Sequence, residues 1–355
     1  MTILKILLLP FGVLYNLITG LRNRLYDLGL KPSVQFEVPV ISVGNLTVGG
    51  TGKSPMVEHL IRVLGKSYKI ATLSRGYGRK TKGMRIGNKF DDASTLGDEP
   101  FQFYYKFSSQ VTVAVGEDRA YAIPNIVDQF PETQVILLDD AFQHRRVKPL
   151  FNILLTDFNR LFYQDYLLPA GRLRESRTGA SRADLVVVTK CHEGLGEDGM
   201  LNIEHNIRRY VDKPIFFTKV RYGAPVAFGR SQPVAMDKVI LVSGIANPAP
   251  LEEYVKSNFE LMDHIAFKDH HRYTQSDIER IVKIVKDCPK ASLLTTEKDM
   301  VKINSTLFDS AISQIAAFYL PIEVEFLKDG ENFDAMVRSV LENGHEIRGT
   351  NDKVK

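Results

Sequence analysis

The residues best suited to chemistry lie in the run "GNLTVGGTGKSP" at 44–55. Gly52-Lys53-Ser54 closes a Walker A pattern, G-x-x-x-x-G-K-[ST], but Thr47 stands where the pattern has its first glycine. Gly49, Gly50 and Gly52 let the backbone approach phosphate closely, so the segment Thr47, Val48, Gly49, Gly50, Thr51 and Gly52 is expected to cradle a nucleotide with inward N–H groups. Lys53 would reach the β- and γ-phosphates, and the Ser54 hydroxyl would serve Mg2+. A glycine turn with no ligand would not need Gly-Lys-Ser at the start of a helix. A metal also needs a carboxylate, and "VILLDDAFQHRR" at 135–146 supplies Asp139 and Asp140 after four apolar residues. Two acids capping the next helix would read the same way in isolation. Beside the loop, the metal role is preferred.

Further polar clusters follow strand-like runs. "SRGYGRK" (74–80) comes after 69–73, and "GEDR" (116–119) after 111–115. In open α/β sheets ligands bind beyond the carboxyl ends of the strands, so these clusters belong on the active face. "GDEP" (97–100) offers Asp98 and Glu99 ahead of a helix, with an N-cap as the plainer role for Asp98. Arg160, Arg172, Arg174, Arg177 and Arg182 fall between 160 and 182 without a lysine, which suits a second anionic group. In "FKDHHRYT" (267–274), Asp269, His270 and His271 are better placed for a histidine that orients a carboxylate than for a metal, because no third ligand is evident. "TTEKD" (295–299) also follows a strand-like run and is expected to face a cleft between domains.

These residues need a frame. Apolar runs at 38–43, 69–73, 111–115, 135–138, 151–155 and 184–188 suit strands covered on both faces, with helical segments such as 55–66 and 118–129 between them. The alternation predicts an α/β fold: a P-loop NTPase-like, mostly parallel sheet domain over 29–222. A Gly/Pro-rich passage at 221–237 then leads to a smaller α/β domain over 223–345 that closes the cleft, with a polar tail at 346–355.

The 355 residues, 44% hydrophobic and 25% charged, suit a soluble globular enzyme of about two domains. A net charge of +4 is too small to imply nucleic acid, and a monomer is expected. Cys191 and Cys288, far apart in the chain, exclude a disulfide framework or a cysteine zinc site and fit a reducing compartment. Residues 1–28 depart from this picture. No charged residue occurs from Ile6 to Leu21, with Lys5 before that run and Arg22 and Arg24 after it. The run is interrupted and shorter than a spanning helix needs, and it lacks the layout of a signal peptide. It suits a helix lying in the surface of an anionic membrane, the plainer alternative being a first helix packed onto the domain.

Taken in order, "GNLTVGGTGKSP", "SRGYGR", "GDEP", "VGEDR", "LLDDAFQHRR", "LPAGRLRE", "DHH" and "TEKD" resemble the tetraacyldisaccharide 4'-kinases, the lipid A 4'-kinase family, over about 40–300. The Walker A form with threonine in front is that family's own. The resemblance implies transfer of the ATP γ-phosphate, with Mg2+, to the 4'-hydroxyl of an acylated glucosamine disaccharide 1-phosphate. The site of action would be the cytoplasmic face of the bacterial inner membrane, with peripheral or monotopic attachment. By motif position, Asp98 would take the hydroxyl proton with His270 as its partner. Lys53, Ser54 and Asp139 would serve phosphates and metal, with Asp140 supporting them, and Arg119 would stabilise charge. Asn45, Tyr77, Glu99, Gln143, His144, Arg174 and Glu175 would meet the acceptor. Ser54 replaces the usual threonine and keeps its hydroxyl, and Ala141 replaces a glycine common in "DDGFQ". His270 is favoured over His271 by adjacency to Asp269 alone.

Two rival readings use the same loop. A ligase acting on a soluble carboxylate would leave the N-terminal segment idle. A nucleotide-driven switch at a membrane should carry an N-K-x-D base-reading motif, which "VVTKCHE" and "TTEKD" only approach.

Overall fold

The computed structural model describes residues 3–229, 236–305 and 307–351. Helix α1 (Ile3–Asp27) leads to β1 (Val40–Asn45), the glycine loop and α2 (Lys53–Leu64). Next come β2 (Ile70–Ser74), β3 (Arg85–Ile86), α3 (Ala93–Leu96), α4 (Asp98–Phe107), β4 (Val111–Val115), α5 (Arg119–Gln129), β5 (Val135–Asp139) and β6 (Phe151–Asp157). They are followed by β7 (Leu185–Thr189), α6 (Glu197–Arg208), β8 (Ile215–Tyr222) and β9 (Val226–Ala227). The later part of the chain forms β10 (Lys238–Ser243), α7 (Ala249–Asn258), β11 (Glu260–Ala266), α8 (Gln275–Asp287), β12 (Ala291–Thr296) and α9 (Glu297–Ile303). It ends with α10 (Asp309–Ile312), β13 (Ala317–Leu320), β14 (Ile322–Phe326) and α11 (Gly330–Asn351).

Two sheets result. The larger has nine strands in the order β14-β8-β7-β6-β1-β5-β2-β4-β3, parallel except for β3 and β14 at its edges. The smaller has five, β11-β10-β12-β13-β9, parallel except for β9. The apolar runs sort their alternate residues to opposite faces, as a doubly covered sheet requires. Ile41, Val43, Val135 and Leu137 pack with α2, while Val40, Ile136 and Leu138 pack with Ile123 and Ile126 of α5. β1 lies between β6 and β5, so the glycine loop and the two aspartates emerge side by side from adjacent strands. In open α/β sheets ligands bind there, beyond the carboxyl ends of the strands.

The C-terminal part of the chain returns to the larger sheet. β14 pairs with β8, and Phe333, Val337 and Leu341 of α11 enter the core beside α2, whereas residues to 345 were expected in the smaller unit. Helix α11 also continues to Asn351, well into the segment read as a tail; residues 352–355 lie outside the described residues. Within the Gly/Pro-rich passage, Val226–Ala227 forms an edge strand on β13, and 230–235 lie outside the described residues.

Helix α1 has two contrasting faces. Leu7, Phe11, Leu14, Ile18 and Leu21 recur at alternating spacings of four and three, and all are 57–65% exposed. The opposite side is docked. Tyr15 Oη donates to the Arg174 carbonyl at 2.9 Å, Arg22 to the Gln143 carbonyl at 3.0 Å, and Asn23 Nδ2 to Glu175 Oε2 at 2.7 Å. Among the described residues no helix is long and apolar enough to cross a membrane.

Candidate active site

The glycine loop is held on both flanks. Asn45 Nδ2 donates to Thr51 Oγ1 at 2.7 Å across the buried base of the loop. Thr47 bridges Leu173, and the Val48 N–H donates to the Arg172 carbonyl at 2.8 Å. On the other side Thr189 Oγ1 donates to the Thr51 carbonyl at 3.0 Å, and Lys190 Nζ, itself 2.8 Å from Asp157 Oδ2, donates to the Gly50 carbonyl. "VVTKCHE" therefore contributes loop supports rather than a base-reading motif. At Gly52 the backbone enters α2 with φ 78°, a left-handed conformation that disfavours side chains and sends Lys53 into the first helical turn. Pro55 falls in that first turn, where no intrahelical N–H bond is lost.

Lys53 Nζ lies 3.6 Å from Asp140 Oδ1, and Arg174 Nη1 lies 2.8 Å from the same oxygen. Asp140 holds φ 51°, uncommon for a non-glycine residue, directly after β5. The two cations keep its carboxyl below the usual range against the opposing effect of burial. Its neighbour Asp139 differs sharply. It is 1% exposed, its Oδ1 has no partner, and burial and then the Glu99 charge push its carboxyl up to about 8. A buried carboxylate that feels another carboxylate's charge is suited to a cation. Among the described residues no three His, Cys, Asp or Glu side chains form a complete metal cluster. Mg2+ takes one or two carboxylates and fills its shell with phosphate oxygens and water.

Three further residues of the predicted site carry unpartnered buried atoms. Arg119, at the start of α5, is almost fully buried with Nε unpartnered. Burial lowers its guanidinium, while the charge of Asp140 opposes that shift. His144 Nε2 is also unpartnered, and burial, then Arg119, drops the imidazole to about 4, so it is neutral at pH 7. Asn45 Oδ1 is likewise unpartnered. Buried polar groups are ordinarily satisfied, so Asp139 and Arg119, near enough for their charges to act on each other, are candidates for ligand contact.

The second half of the site sits on α4 and the smaller sheet. Gly97 has φ 97°, and a Cβ there would lie 2.9 Å from the Tyr77 carbonyl, so glycine permits the close approach of "GYG" to the start of α4. Asp98 opens α4, with Oδ2 3.5 Å from His270 Nδ1 and 4.0 Å from Lys302 Nζ. His270 in turn has Nε2 3.1 Å from Lys298 Nζ and meets the exposed Tyr77 ring edge-on at 5.7 Å. His271 points elsewhere. It bonds Asp277 at 3.0 Å and stacks on Phe267 at 4.3 Å. The geometry thus separates two histidines that adjacency alone could not.

Gln143 and Glu175 form the floor next to α1. Gln143 Nε2 donates to the Asn45 carbonyl at 2.8 Å and to Glu175 Oε1 at 3.0 Å. Glu175 also accepts from Arg182 at 2.8 Å and from Asn23, so its buried carboxylate is spent on protein donors. Of the five clustered arginines, Arg160, Arg174, Arg177 and Arg182 have protein partners, and Arg172 reaches over Gly49. Lys190, Lys298, Lys302 and Asn23 were not anticipated. Only their positions beside motif residues, as in "TEKD", gave a signal.

The model of the family Tetraacyldisaccharide-1-P 4'-kinase matches residues 4–342. A tetraacyldisaccharide 4'-kinase of Flavobacterium johnsoniae is 42% identical, covering 98% of this chain and 100% of its own length. The protein of the same description from Phocaeicola vulgatus is 42% identical over 91% of each chain. The crystal structure of LpxK from Aquifex aeolicus, an "apo" form in complex with ATP, superposes with a TM-score of 0.76 at 29% identity, over 96% of this chain and 100% of that one. The glycine loop, paired aspartates and Asp98–His270 contact therefore sit in a sequence matched almost end to end, and the chain belongs to the tetraacyldisaccharide-1-P 4'-kinase family.

Proposed function

We propose that the chain is an ATP-dependent lipid kinase that transfers the γ-phosphate to the 4'-hydroxyl of an acylated glucosamine disaccharide 1-phosphate, a step of lipid A biosynthesis. The observation that carries this reading is the division of the site. A phosphate loop with its lysine and buried aspartates faces, from another element, a carboxylate paired with a histidine. The loop amides and Lys53 bind the β- and γ-phosphates, and Asp140, clamped by Arg174, orients Lys53. Ser54 and Asp139 would hold Mg2+, with Glu99 contributing through its charge; the ion, when bound, neutralises developing phosphate charge. Arg119 offers an unpaired donor to the transferred group.

Asp98 accepts the proton as the sugar oxygen bonds to phosphorus and the bond to the β-phosphate oxygen breaks. His270 and Lys302 stabilise and orient that carboxylate. Neutral His144 adds no charge of its own near the phosphates. Tyr77, exposed on the His270 side, is positioned to pack on the sugar, while Gln143 and Glu175 shape the acceptor floor next to α1. The five-stranded unit, over about 223–320, closes on the larger sheet to exclude water. The exposed apolar face of α1 lies in the cytoplasmic surface of the inner membrane, where its docked face brings the acceptor to the floor.

ADP release in mixed micelles tests the reaction class. Release that requires the acylated acceptor is expected; release driven by a soluble carboxylate in its place would favour the ligase. The membrane role has its own test. Replacing Leu14, Ile18 and Leu21 by Gln is expected to reduce binding to anionic vesicles at least about tenfold, since each exposed side chain forfeits roughly 1.5–3 kcal/mol of burial in the bilayer. Affinity for ATP should be unchanged, and equal vesicle binding by the variant would remove α1 as the anchor.

A further inference from the structure

One polar cluster takes no part in the chemistry above. Asp98, Gln102 and Lys106 are spaced by four residues and share one face of α4, with Asp98 at the end that faces the site. Toward the other end, Lys106 Nζ lies 2.5 Å from Glu58 Oε2 on α2 and 2.5 Å from Glu297 Oε1 at the start of α9. Gln102 Nε2 donates to Glu58 Oε1 at 2.8 Å and reaches Glu297 Oε2 at 3.5 Å. The Ile322 N–H, where β14 rejoins the larger sheet, approaches Glu297 Oε2 at 3.3 Å. Arg62 closes the rim, 3.2 Å from Glu58. Glu58 is 0% exposed and Glu297 3%. Two buried carboxylates are thus balanced by one ammonium and one rim guanidinium.

Such a cluster is a poor device for stability alone. Desolvating its charges costs several kcal/mol per ion, and an apolar replacement of equal volume is often as stable or more so. Its location suggests what the charges provide instead. Helix α2 begins at Lys53, α4 begins at Asp98, and α9 carries Lys302, 4.0 Å from Asp98. The helices bearing the phosphate lysine, the carboxylate base and that base's cationic neighbour all meet at one lysine.

We propose that Glu58, Lys106 and Glu297 are positioning residues that fix Asp98 relative to the phosphate loop and tie both to the five-stranded unit. The proposal rests on the kinase reading. The charged pairs are directional and hold three helices in one register, which apolar packing would hold less specifically. Phosphoryl transfer depends mainly on such placement, and a shift of about 1 Å can cost on the order of 100-fold in rate.

Two full-length variants test it. Glu297→Gln keeps the shape and removes one charge. The triple variant Glu58→Gln, Lys106→Met, Glu297→Gln removes the charges together and leaves no carboxylate buried unpaired. Turnover is read per site titrated with a fluorescent ATP analogue, alongside Tm, nucleotide Kd and amide hydrogen exchange over 98–107 and 297–303. The expected result is kcat lowered about 10- to 100-fold in both variants, with Kd within about twofold, faster exchange in both segments, and a triple-variant Tm equal to or above wild type. Full kcat per titrated site, with only Tm altered, would overturn the proposal and leave a structural cluster. If Glu297→Gln fails to fold, the triple variant decides alone. Wild-type protein assayed in parallel separates the two readings. No acceptor phosphorylation by wild type defeats the kinase assignment, while normal wild-type turnover with an unaffected triple variant defeats only the positioning role.

Discussion

Asp139→Asn is expected to make the nucleotide-free protein more stable and the enzyme inactive. Asp139 is buried with an unpartnered oxygen, and burial together with the Glu99 charge raises its carboxyl to about 8. The folded state therefore holds its proton more tightly than the unfolded state does. Across the window from the ordinary carboxylate range near 4 up to about 8, unfolding releases that proton. The stability contribution of this group accordingly falls as pH rises through the window and is flat above it. Asparagine removes the charge without changing the volume, and relief of an uncompensated buried charge is worth about 1–4 kcal/mol. Thermal melts of the nucleotide-free protein should show a higher Tm for the variant at pH 8 and a shallower decline between pH 5 and pH 8. Mg-ATP should stabilise wild type far more than the variant, because a ligand that binds only the folded state stabilises it by RT ln(1 + L/Kd) at free ligand concentration L, which grows with affinity. Loss of a charge-neutralising group at the phosphates should lower kcat by at least about 100-fold. A variant less stable than wild type at pH 8, or one that turns over normally, would remove Asp139 from the metal position.

Asp98→Ala should lower kcat by about 100- to 10,000-fold, the usual contribution of a positioned general base. Its effect on nucleotide Kd should be small, because Asp98 sits on α4 facing His270 and Lys302, while Lys53, Asp140 and Arg174 form a separate group of contacts. His270→Ala should cost less, since Lys302 remains 4.0 Å from the carboxylate. The separation of 3.5 Å between Asp98 and His270 is longer than a strong hydrogen bond, as catalytic contacts often are before substrate closes the site. Single-turnover kinetics with pre-bound ATP read this directly. Equal losses in nucleotide binding and in the chemical step would instead make Asp98 part of the phosphate site.

The glycine loop and the paired aspartates at the ends of adjacent strands were legible because each is local. Strand, glycine loop and helix are contiguous, and "VILLDD" announces its strand and its acids together, so Lys53, Ser54, Asp139 and Asp140 could be named from spacing alone. The pairing of Asp98 with His270 depended on resemblance, because the two are 172 positions apart in the chain and only tertiary structure joins them. Adjacency to Asp269 favours His270 over His271 in the sequence, but the physical ground for the choice is not local. The choice follows from the left-handed backbone at His270, φ 57°, which turns successive side chains to different surroundings. Return of the chain to the larger sheet through β14 also escaped notice. A five-residue edge strand of intermediate burial, "IEVEF", carries no more signal than many loops. Lys190 and Glu297 lie inside the quoted stretches "VVTKCHE" and "TTEKD", but their supporting roles, like that of Asn23, have no mark in the sequence because their partners lie 140, up to 195 and 152 positions away.

The most direct test of the kinase assignment is the position of the transferred phosphate. Protein, Mg2+ and γ-labelled ATP would be incubated with acylated disaccharide 1-phosphate in mixed micelles, and the extracted lipid examined for the site of label, with Lys53→Ala as control. The assignment predicts label on the 4'-oxygen, with intact Lys53 required. Tight ATP binding with no labelled lipid, or label entering at another position, would contradict it.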